Sequence, residues 1–260
     1  METTKIEKVI KNLTDVFFKA GAVSIELRKN GLREHLKNDK TPVTNGDIEV
    51  NNIILENLKK ITPDIPIVSE ETSENKNIDL NTFWLVDPID GTYDYINNKD
   101  EFTLNAGLII ENKPKAGIIY APAKDRLFYS FGNNLSYEIQ NNKEKILNNK
   151  QINKDNIQAV SYSNNLKPEI KEIHKKLNVK DFIKMKSSLK FCVVATGEYQ
   201  VYAAEPRAYE WDIAAGHAIL ENAGGIVRDF DGNEIRYGKK DFKNPSLIIK
   251  RSDKLKWASN

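Results

Sequence analysis

The chain has 260 residues, which is enough for one large domain or two small ones with a substantial hydrophobic core. It carries 39 basic and 37 acidic residues, so its formal net charge is +2, and 40% of its residues are hydrophobic. This balance excludes a disordered chain and argues against a dedicated nucleic-acid-binding protein.

The sequence leads us to expect neither a membrane span nor a secretory signal. No apolar run approaches the roughly 18 residues of a membrane span, and the first residues lack the apolar core of a secretory signal. Cys192 is the only cysteine, which excludes an intramolecular disulfide and a cysteine-rich zinc site. We therefore expect a cytoplasmic protein without a transmembrane segment.

Two helices are predicted at the start of the chain. Apolar residues three and four apart line one face from Ile6 to Ala20, and Asn30-Gly31 ends this first helix. A second helical stretch runs from about Asp47, and Pro63 forbids its continuation beyond that point. Asp47 would lie in the first turn of this helix.

Two short apolar runs follow, and each ends in acidic residues. They are IPIVSEE (65–71) and FWLVDPIDG (83–91), which is typical of buried strands that present carboxylates at one edge of a sheet. Functional groups gather at such edges. We expect Pro88 to form a rigid turn between Asp87 and Asp90, and a helix to begin near Thr92.

The rest of the chain divides into two patterns. From residue 102 to 139 the apolar period is two, with turn residues between the runs, which predicts an antiparallel meander. The polar segment 141–156 is a candidate linker, so we predict an N-terminal half over residues 1–150 and a C-terminal half over residues 151–260. In the second half, strand-like runs at 159–163, 191–195 and 200–203 alternate with helical runs at 168–177 and 211–223, which indicates an α/β half.

The acidic residues carry the strongest chemical signal. If the fold brings Asp47, Glu70, Asp87, Asp90 and Asp212 together, each like-charged pair at ~5 Å repels by roughly 3 kcal/mol at an effective dielectric of ~20. The cluster must then hold protons or hard cations, and oxygen ligands alone favour Mg²⁺, Mn²⁺ or Ca²⁺ over zinc. A carboxylate shared by two metal ions is the usual device of a two-metal hydrolase.

A helix start at Gly91-Thr92 would add an anion site. Its free backbone amides suit a phosphate group, and Thr92 paired with Asp47 could activate a water for in-line attack on phosphorus. Another interpretation stays open for the acids at helix starts, because a lone Asp47 or Asp212 is more often a helix cap than a ligand. DPIDGT differs, because its two acids bracket a proline directly after a strand.

Four sequence blocks resemble the inositol monophosphatase superfamily of Mg²⁺-dependent, lithium-sensitive phosphatases. They are KNDKTPVTNGD, the EE after IPIVS, WLVDPIDGT and WDIAAGHAILENAGG, and they spread over residues 37–225. The first block and SSLKFCVVATG (187–197) look most like the CysQ-type 3′(2′),5′-bisphosphate nucleotidases, which convert 3′-phosphoadenosine 5′-phosphate to AMP and phosphate. The resemblance implies a layered α-β-α-β-α sandwich with the active site between its two halves.

The resemblance also implies which residues hold the metal ions. Glu70, Asp87 and the Ile89 carbonyl would bind a first Mg²⁺, which places Glu70 among the catalytic residues. Asp87, Asp90 and Asp212 would bind a second Mg²⁺. A third, looser ion is allowed, and Mn²⁺ could substitute.

The matching positions imply substrate contacts as well. Asp47 and Thr92 match the pair that activates the attacking water, and the Gly91 and Thr92 amides match the cradle of the phosphate that is cleaved. Ser187 and Lys190 match positions that hold the phosphate that is not cleaved; a hydroxyl donor and a point charge suit that task.

Two departures bear on the substrate. Tyr93-Asp94 follows DGT where many similar chains have Lys-Glu. The arginine that commonly follows the strand after SSLK falls at Ala203 or Ala204 here, and Arg207, three or four positions on, is the candidate replacement. These departures leave open a different specificity.

Three functional hypotheses follow. The first is a phosphomonoesterase for a small phosphorylated nucleotide, with no nucleic-acid polymer as partner, working as a monomer or a homodimer. The second keeps the chemistry and changes the substrate to inositol monophosphate or a sugar phosphate. The third is a non-catalytic nucleotide-binding module with the same fold.

Overall fold

The computed structural model describes residues 2–37, 40–72, 80–147 and 155–256. Within these residues six α-helices form: α1 (Thr3–Asn30), α2 (Asn45–Ile61), α3 (Thr92–Ile96), α4 (Pro168–Lys176), α5 (Leu189–Thr196) and α6 (Glu210–Asn222). The first strands are β1 (Glu34–Leu36), β2 (Pro42–Thr44), β3 (Ile67–Ser69), β4 (Phe83–Asp90), β5 (Thr103–Ile110), β6 (Lys113–Ala121) and β7 (Arg126–Gly132). The others are β8 (Leu135–Gln140), β9 (Lys143–Ile146), β10 (Ile157–Ser161), β11 (Val179–Lys184), β12 (Val201–Ala204), β13 (Ile226–Arg228) and β14 (Leu247–Lys250).

The first half of the chain builds a seven-stranded sheet. Its strand order is β3-β4-β5-β6-β7-β8-β9, and β3 pairs with β4 in parallel while every later neighbour is antiparallel. The predicted antiparallel meander is therefore confirmed. Because β3 and β4 run in the same direction, the acids after each strand meet at one edge of the sheet.

A second sheet of five strands follows, in the order β11-β10-β12-β14-β13. The pairs β10–β11 and β10–β12 are parallel, and β14 runs antiparallel to both of its neighbours. This mixture of parallel strands and intervening helices is the α/β pattern that the sequence predicted for the second half.

The elements stack as five layers. Helices α1 and α2 pack on one face of the seven-stranded sheet, around Phe17, Ile54 and Trp84. Helices α5 and α6 lie between the two sheets, and α4 covers the outer face of the five-stranded sheet. The predicted α-β-α-β-α sandwich is confirmed, and its central helical layer carries α6 toward the acidic edge of the larger sheet.

One predicted strand is wrong. Residues 191–195 were expected to be extended, but they belong to helix α5, whose side chains from Leu189 to Ala195 are all buried. A helix enclosed between two sheets has no polar face, so its short apolar run carries no helical period and looks like a strand in the sequence. Cys192 is buried within this helix, as expected for a core residue.

The predicted linker over residues 141–156 also needs correction, because it begins with the edge strand β9. An exposed edge strand pairs through its backbone alone and needs no apolar pattern. The predicted boundary at residue 150 lies outside the described residues, so the division into two halves stays a prediction. None of the described helices combines the length and apolarity that a membrane crossing needs.

Candidate active site

Two strand ends deliver three of the predicted acids. Glu70 follows β3 directly, and Asp87 and Asp90 lie at the end of β4. Between Asp87 and Asp90 the pairing with β5 shifts by one residue, so β4 bulges at Pro88-Ile89 instead of turning there. Proline has no N–H to pair with β5, and a bulge is where a strand tolerates it and redirects neighbouring side chains.

A third element, helix α6 in the second half of the chain, adds a further acid to the cluster. Asp212, in the first turn of α6, places a carboxylate oxygen within 4.8 Å of oxygens from Glu70 and Asp87. Asp87 is 1% exposed, and its Oδ1 has no hydrogen-bond partner among the described residues. A buried carboxylate oxygen without a donor, next to two other carboxylates, fits a hard cation bound by oxygen ligands.

Glu70, Asp87 and Asp212 cannot all carry a negative charge in this cluster without a large electrostatic cost. Burial, together with the charges of Glu70, Asp90 and Asp212, raises the pKa of Asp87 well above its usual value. Burial and then the charges of Asp90 and Glu70 likewise raise the pKa of Asp212. Without a cation, burial and mutual repulsion therefore oppose the ionisation of these carboxyl groups.

Lys37 lies against the same cluster, and the sequence pattern gave it no role. Its Nζ is 2.7 Å from Glu70 Oε1 and 2.8 Å from Glu71 Oε1. Burial raises the pKa of Glu71 to about 7 despite this lysine. Lys37 is therefore an internal counter-ion for the two glutamates at the end of β3.

Asp47 serves as a helix cap and also reaches the site. Its Oδ2 accepts hydrogen bonds from the Thr44 N–H at 2.8 Å and the Thr44 hydroxyl at 2.6 Å, which completes a capping box at the start of α2. Its Oδ1 lies 3.1 Å from the Thr92 hydroxyl, which is also 3.1 Å from the Ile89 carbonyl oxygen. The single Thr92 hydroxyl proton therefore has two competing acceptors, a carboxylate and a carbonyl.

Asp212 combines the same two tasks. Its Oδ2 accepts a hydrogen bond from the Tyr209 N–H at 2.8 Å, which caps α6. The interpretation of Asp47 and Asp212 as helix caps is thus confirmed for both residues. It does not exclude them from the site, because a carboxylate has two oxygens and can accept several hydrogen bonds.

Ser188 links the two layers at this point, and sequence reasoning missed it in favour of its neighbour. Its Oγ lies 2.6 Å from Asp90 Oδ2 and 2.6 Å from the Asp212 carbonyl oxygen. The side chain is almost fully buried. Asp90 and α6 are therefore held together by one hydroxyl group.

The predicted helix start near Thr92 is confirmed, because α3 begins at that residue. Gly91 precedes α3 with φ +96°, and a Cβ there would lie 2.9 Å from the Glu101 carbonyl oxygen, so only glycine fits without strain. The Asp94 and Tyr95 N–H groups donate to the Gly91 carbonyl. The N–H groups before them lie outside this ladder, as at any helix start.

A cavity of about 300 Å³ adjoins the acids and contains the remaining predicted residues. Its lining combines acidic, glycine and serine residues with several basic and aromatic side chains. Among the lining residues are Asp90, Gly91, Asp212, Ser187, Lys190 and Arg207. The volume lies at the lower end of the ~300–1,000 Å³ typical of small-molecule sites.

The SSLK residues are more internally bonded than the sequence suggested. Lys190 is 7% exposed, its Nζ donates to the Ser187 carbonyl, and it lies 5.3 Å from the centre of the Tyr202 ring. Burial lowers the pKa of Lys190 to about 8. Ser187 adopts φ +53°, a left-handed conformation. Arg207, in contrast, is exposed.

The fold and this cleft define a layered α/β phosphatase with an acidic centre. The chain belongs to the inositol monophosphatase family, whose sequence model matches residues 5–258.

Curated relatives refine the comparison. The chain is 40% identical over 206 residues to the 3′(2′),5′-bisphosphate nucleotidase CysQ of Buchnera aphidicola subsp. Acyrthosiphon pisum, covering 77% of this chain and 76% of that protein. It is 37% identical over 219 residues to the CysQ of Salmonella typhimurium, covering 82% and 87%. The structure of CysQ from Bacteroides thetaiotaomicron superposes with a TM-score of 0.76 at 30% identity, covering 91% and 94%.

Proposed function

We propose that this phosphatase hydrolyses 3′(2′),5′-bisphosphate nucleotides, such as 3′-phosphoadenosine 5′-phosphate, to AMP and phosphate. The observation that carries the proposal is a single cavity lined both by Asp90 and Asp212 and by Lys186, Lys190 and Arg207. Acids suit a phosphate that is gripped through cations, whereas basic side chains suit a second anionic group on the same substrate. The names of the curated relatives support the same substrate class.

The proposed cofactor is Mg²⁺, with Mn²⁺ as a substitute. Glu70, Asp87 and the Ile89 carbonyl would hold one ion, Asp87, Asp90 and Asp212 a second, and a third would bind more loosely. Support comes from the oxygen-only set of carboxylates and from the partnerless Asp87 Oδ1. Such ions, when bound, supply positive charge to the phosphoryl group and to the oxygens that attack and leave.

The Asp47–Thr92 pair would act on the attacking water. With the Thr92 proton donated to Asp47 Oδ1, the lone pairs of the Thr92 oxygen are free to accept a hydrogen bond from water and orient it for in-line attack. As the P–O bond to water forms, the water proton passes to Thr92 and the Thr92 proton to Asp47. Burial, the largest influence on this carboxylate, raises the pKa of Asp47, which suits it to receive a proton.

The substrate contacts complete the proposal. The Gly91 and Thr92 N–H groups would bind the phosphate that is cleaved, and Ser187, Lys190 and Arg207 the one that remains. We also propose a cytoplasmic setting, supported by a lone cysteine that is buried and unpaired.

A second substrate class has one observation in its favour. Ala203 and Ala204, where the resemblance expects an arginine, are buried at 0% and 1% exposure and do not line the cavity. The absence of an arginine from these positions favours inositol monophosphate or a sugar phosphate, which has no second phosphate to bind.

Comparison of kcat/KM on adenosine 3′,5′-bisphosphate and on inositol 1-phosphate, in Mg²⁺, tests the assignment. We expect the nucleotide to be preferred by at least tenfold, and equal or reversed values would transfer the assignment to the second class. Phosphate release by Asp90→Asn serves as the control for catalysis. Activity indifferent to that substitution would favour a non-catalytic binding module with a contaminating phosphatase.

A further inference from the structure

The cavity contains an arginine that is held by an aromatic ring. The Arg207 guanidinium carbon lies 3.8 Å from the centre of the Tyr162 ring, and both residues line the cavity with Lys186. Tyr162 follows β10 and Arg207 follows β12, so the contact joins two neighbouring strand ends of the five-stranded sheet. A stacked guanidinium keeps its five N–H donors in the plane of the group, where a phosphate can reach them.

Tyr162 also forms a hydrogen bond with a carboxylate close to Arg207 in the chain. Its hydroxyl donates a hydrogen bond to Glu205 Oε1, two residues before Arg207 in the chain. Arg207 forms no salt bridge among the described residues. Its guanidinium forms a hydrogen bond with the Tyr202 hydroxyl. Glu205 Oε1 is therefore engaged by Tyr162, and Arg207 has no carboxylate partner among the described salt bridges, so its guanidinium N–H groups are available to an anion.

We propose that Tyr162 is a positioning residue that determines specificity: it holds Arg207 so that the guanidinium binds the second phosphate of the substrate. The inference rests on the proposed function and names the device that would replace the arginine expected at Ala203 or Ala204. Arg207 is exposed and its side chain is long, so without the ring it would lose rotamer freedom on every binding event. Lys186, which lines the same cavity, adds charge but no planar fork.

The first test separates binding of the second phosphate from catalysis. Adenosine 3′,5′-bisphosphate and adenosine 3′-monophosphate share the phosphate that is cleaved and differ in the other one. For Tyr162→Leu we expect KM for the bisphosphate to rise about tenfold with kcat within twofold, and KM for the monophosphate to change less than twofold. Tyr162→Phe keeps the ring and loses only the bond to Glu205, so its effect should be smaller. Equal rises of KM for both substrates would overturn the proposal.

A double-mutant cycle tests whether Tyr162 acts through Arg207. Tyr162→Leu added to Arg207→Gln should raise KM for the bisphosphate no further than Arg207→Gln alone. Tyr93→Leu is the matched control, because Tyr93 is an exposed aromatic residue that lines the same cavity but packs against Lys99. Its effect should multiply with that of Arg207→Gln. Independent, multiplicative effects of Tyr162 and Arg207 would contradict a positioning role.

Calorimetric binding of AMP and of adenosine in Mg²⁺ gives a readout that does not depend on turnover. The wild type should bind AMP at least tenfold more tightly than adenosine, and both Tyr162→Leu and Arg207→Gln should reduce this ratio toward one. A wild-type ratio near one overturns the inference. The two proposals can also be separated. If the affinity ratio depends on Arg207 and Tyr162 but the bisphosphate is hydrolysed no better than inositol 1-phosphate, the proposed substrate is wrong and the anion site formed by Arg207 is supported. Circular dichroism melts confirm that each variant is folded.

Discussion

The Ser188 hydroxyl lies between two of the residues proposed as metal ligands. One hydroxyl lies 2.6 Å from a carboxylate oxygen of Asp90 and 2.6 Å from the carbonyl oxygen of Asp212, yet it has a single proton to donate. It therefore sets the separation between two proposed ligands from different layers. Residues that orient metal ligands typically contribute ~10- to 100-fold to metal affinity.

We predict that Ser188→Ala weakens Mg²⁺ binding about tenfold, because Asp90 loses its donor and can rotate away from Asp212. Calorimetric titration with Mn²⁺ and the Mg²⁺ dependence of phosphate release measure this effect. Ser136→Ala is the matched control: Ser136 is equally buried and donates 2.7 Å to the Ile219 carbonyl at the far end of α6. The control should lower the melting temperature and leave metal affinity unchanged, and a similar loss of affinity in both variants would contradict the assignment.

Lys190 predicts a pH dependence of stability. Burial lowers its pKa to about 8 in the folded protein, against roughly 10.4 in an unfolded chain. Below pH 8 both states hold the proton, and the folded state carries the full cost of a buried cation. Between pH 8 and about 10.4 the unfolded chain binds more protons, so this group makes the free energy of unfolding rise with pH.

Lys190→Met removes that titration. Relative to the variant, the wild type should gain on the order of 1–3 kcal/mol of unfolding free energy between pH 7 and pH 10. Urea denaturation in EDTA at several pH values measures the difference. Lys143→Met, at an exposed lysine on β9, should show a flat difference over the same range. A flat difference for Lys190→Met as well would show that this lysine is not buried as a cation.

Single residues that are proposed to bind metal could be predicted from the sequence, whereas the residues that position functional side chains could not. Glu70, Asp87 and Asp90 follow apolar runs directly, so strand ends predicted that they meet. Ser188 and Tyr162 carry no such signal, because each acts through contacts with residues more than 20 positions away. A hydroxyl in a polar segment looks the same whether it faces water or joins two layers.

At the scale of elements, the position of α6 depends on two glycines in the sheet beneath it. A Cβ on Gly117 would lie 2.5 Å from the Ala215 carbonyl oxygen, and one on Gly107 would lie 2.7 Å from the Ala214 Cβ. The helix therefore sits on β5 and β6 closer than any other residue would allow. That close approach brings Asp212 to the sheet edge where Glu70 and Asp87 lie.

We predict that Gly117→Ala lifts α6 from the sheet, because the clash is with backbone that cannot rotate away. The cost should be about 1–3 kcal/mol of stability, with weaker Mg²⁺ activation at temperatures where the variant is still folded. Chemical denaturation and Mg²⁺ titration at 15 °C measure the two effects. Lys115→Ala, an exposed position on the same strand, should change neither. Lost stability with unchanged metal dependence would separate helix packing from the acidic centre.

The elements themselves were predicted unevenly, for a physical reason. Amphipathic helices such as α1 and the alternating strands of the meander have one solvent-exposed face. The period of their apolar residues is therefore visible in the sequence. Helix α5 has no solvent-exposed face over residues 189–195. Its Val193-Val194 pair has a local preference for a strand, because both side chains are β-branched. Its conformation is decided by the two sheets that enclose it, and no short window of sequence contains that information.

Across the whole molecule, the acidic centre joins layers that repel each other when no cation is present. Glu70, Asp87 and Asp90 belong to the edge of the larger sheet, and Asp212 belongs to the helical layer above it. Charges of the same sign on both sides oppose their contact, while an ion bound by both sides crosslinks them. Folding stability should therefore depend on divalent ions, as for any ligand that binds only the folded state.

The substitution Asp87→Asn separates these two effects in one experiment. For the wild type, saturating Mg²⁺ should raise the melting temperature, since a ligand at 100 times its Kd adds about 2.7 kcal/mol. For Asp87→Asn, that rise and the phosphatase activity should both disappear. In EDTA the variant should melt at the same temperature as the wild type or higher, because a buried carboxylate that faces like charges, with no hydrogen-bond partner for its Oδ1, is replaced by a neutral amide. Asp64→Asn, at an exposed aspartate, should behave as the wild type in both buffers. A lower melting temperature for Asp87→Asn in EDTA would mean that this carboxylate stabilises the metal-free fold, and the repulsion inferred for the cluster would be wrong.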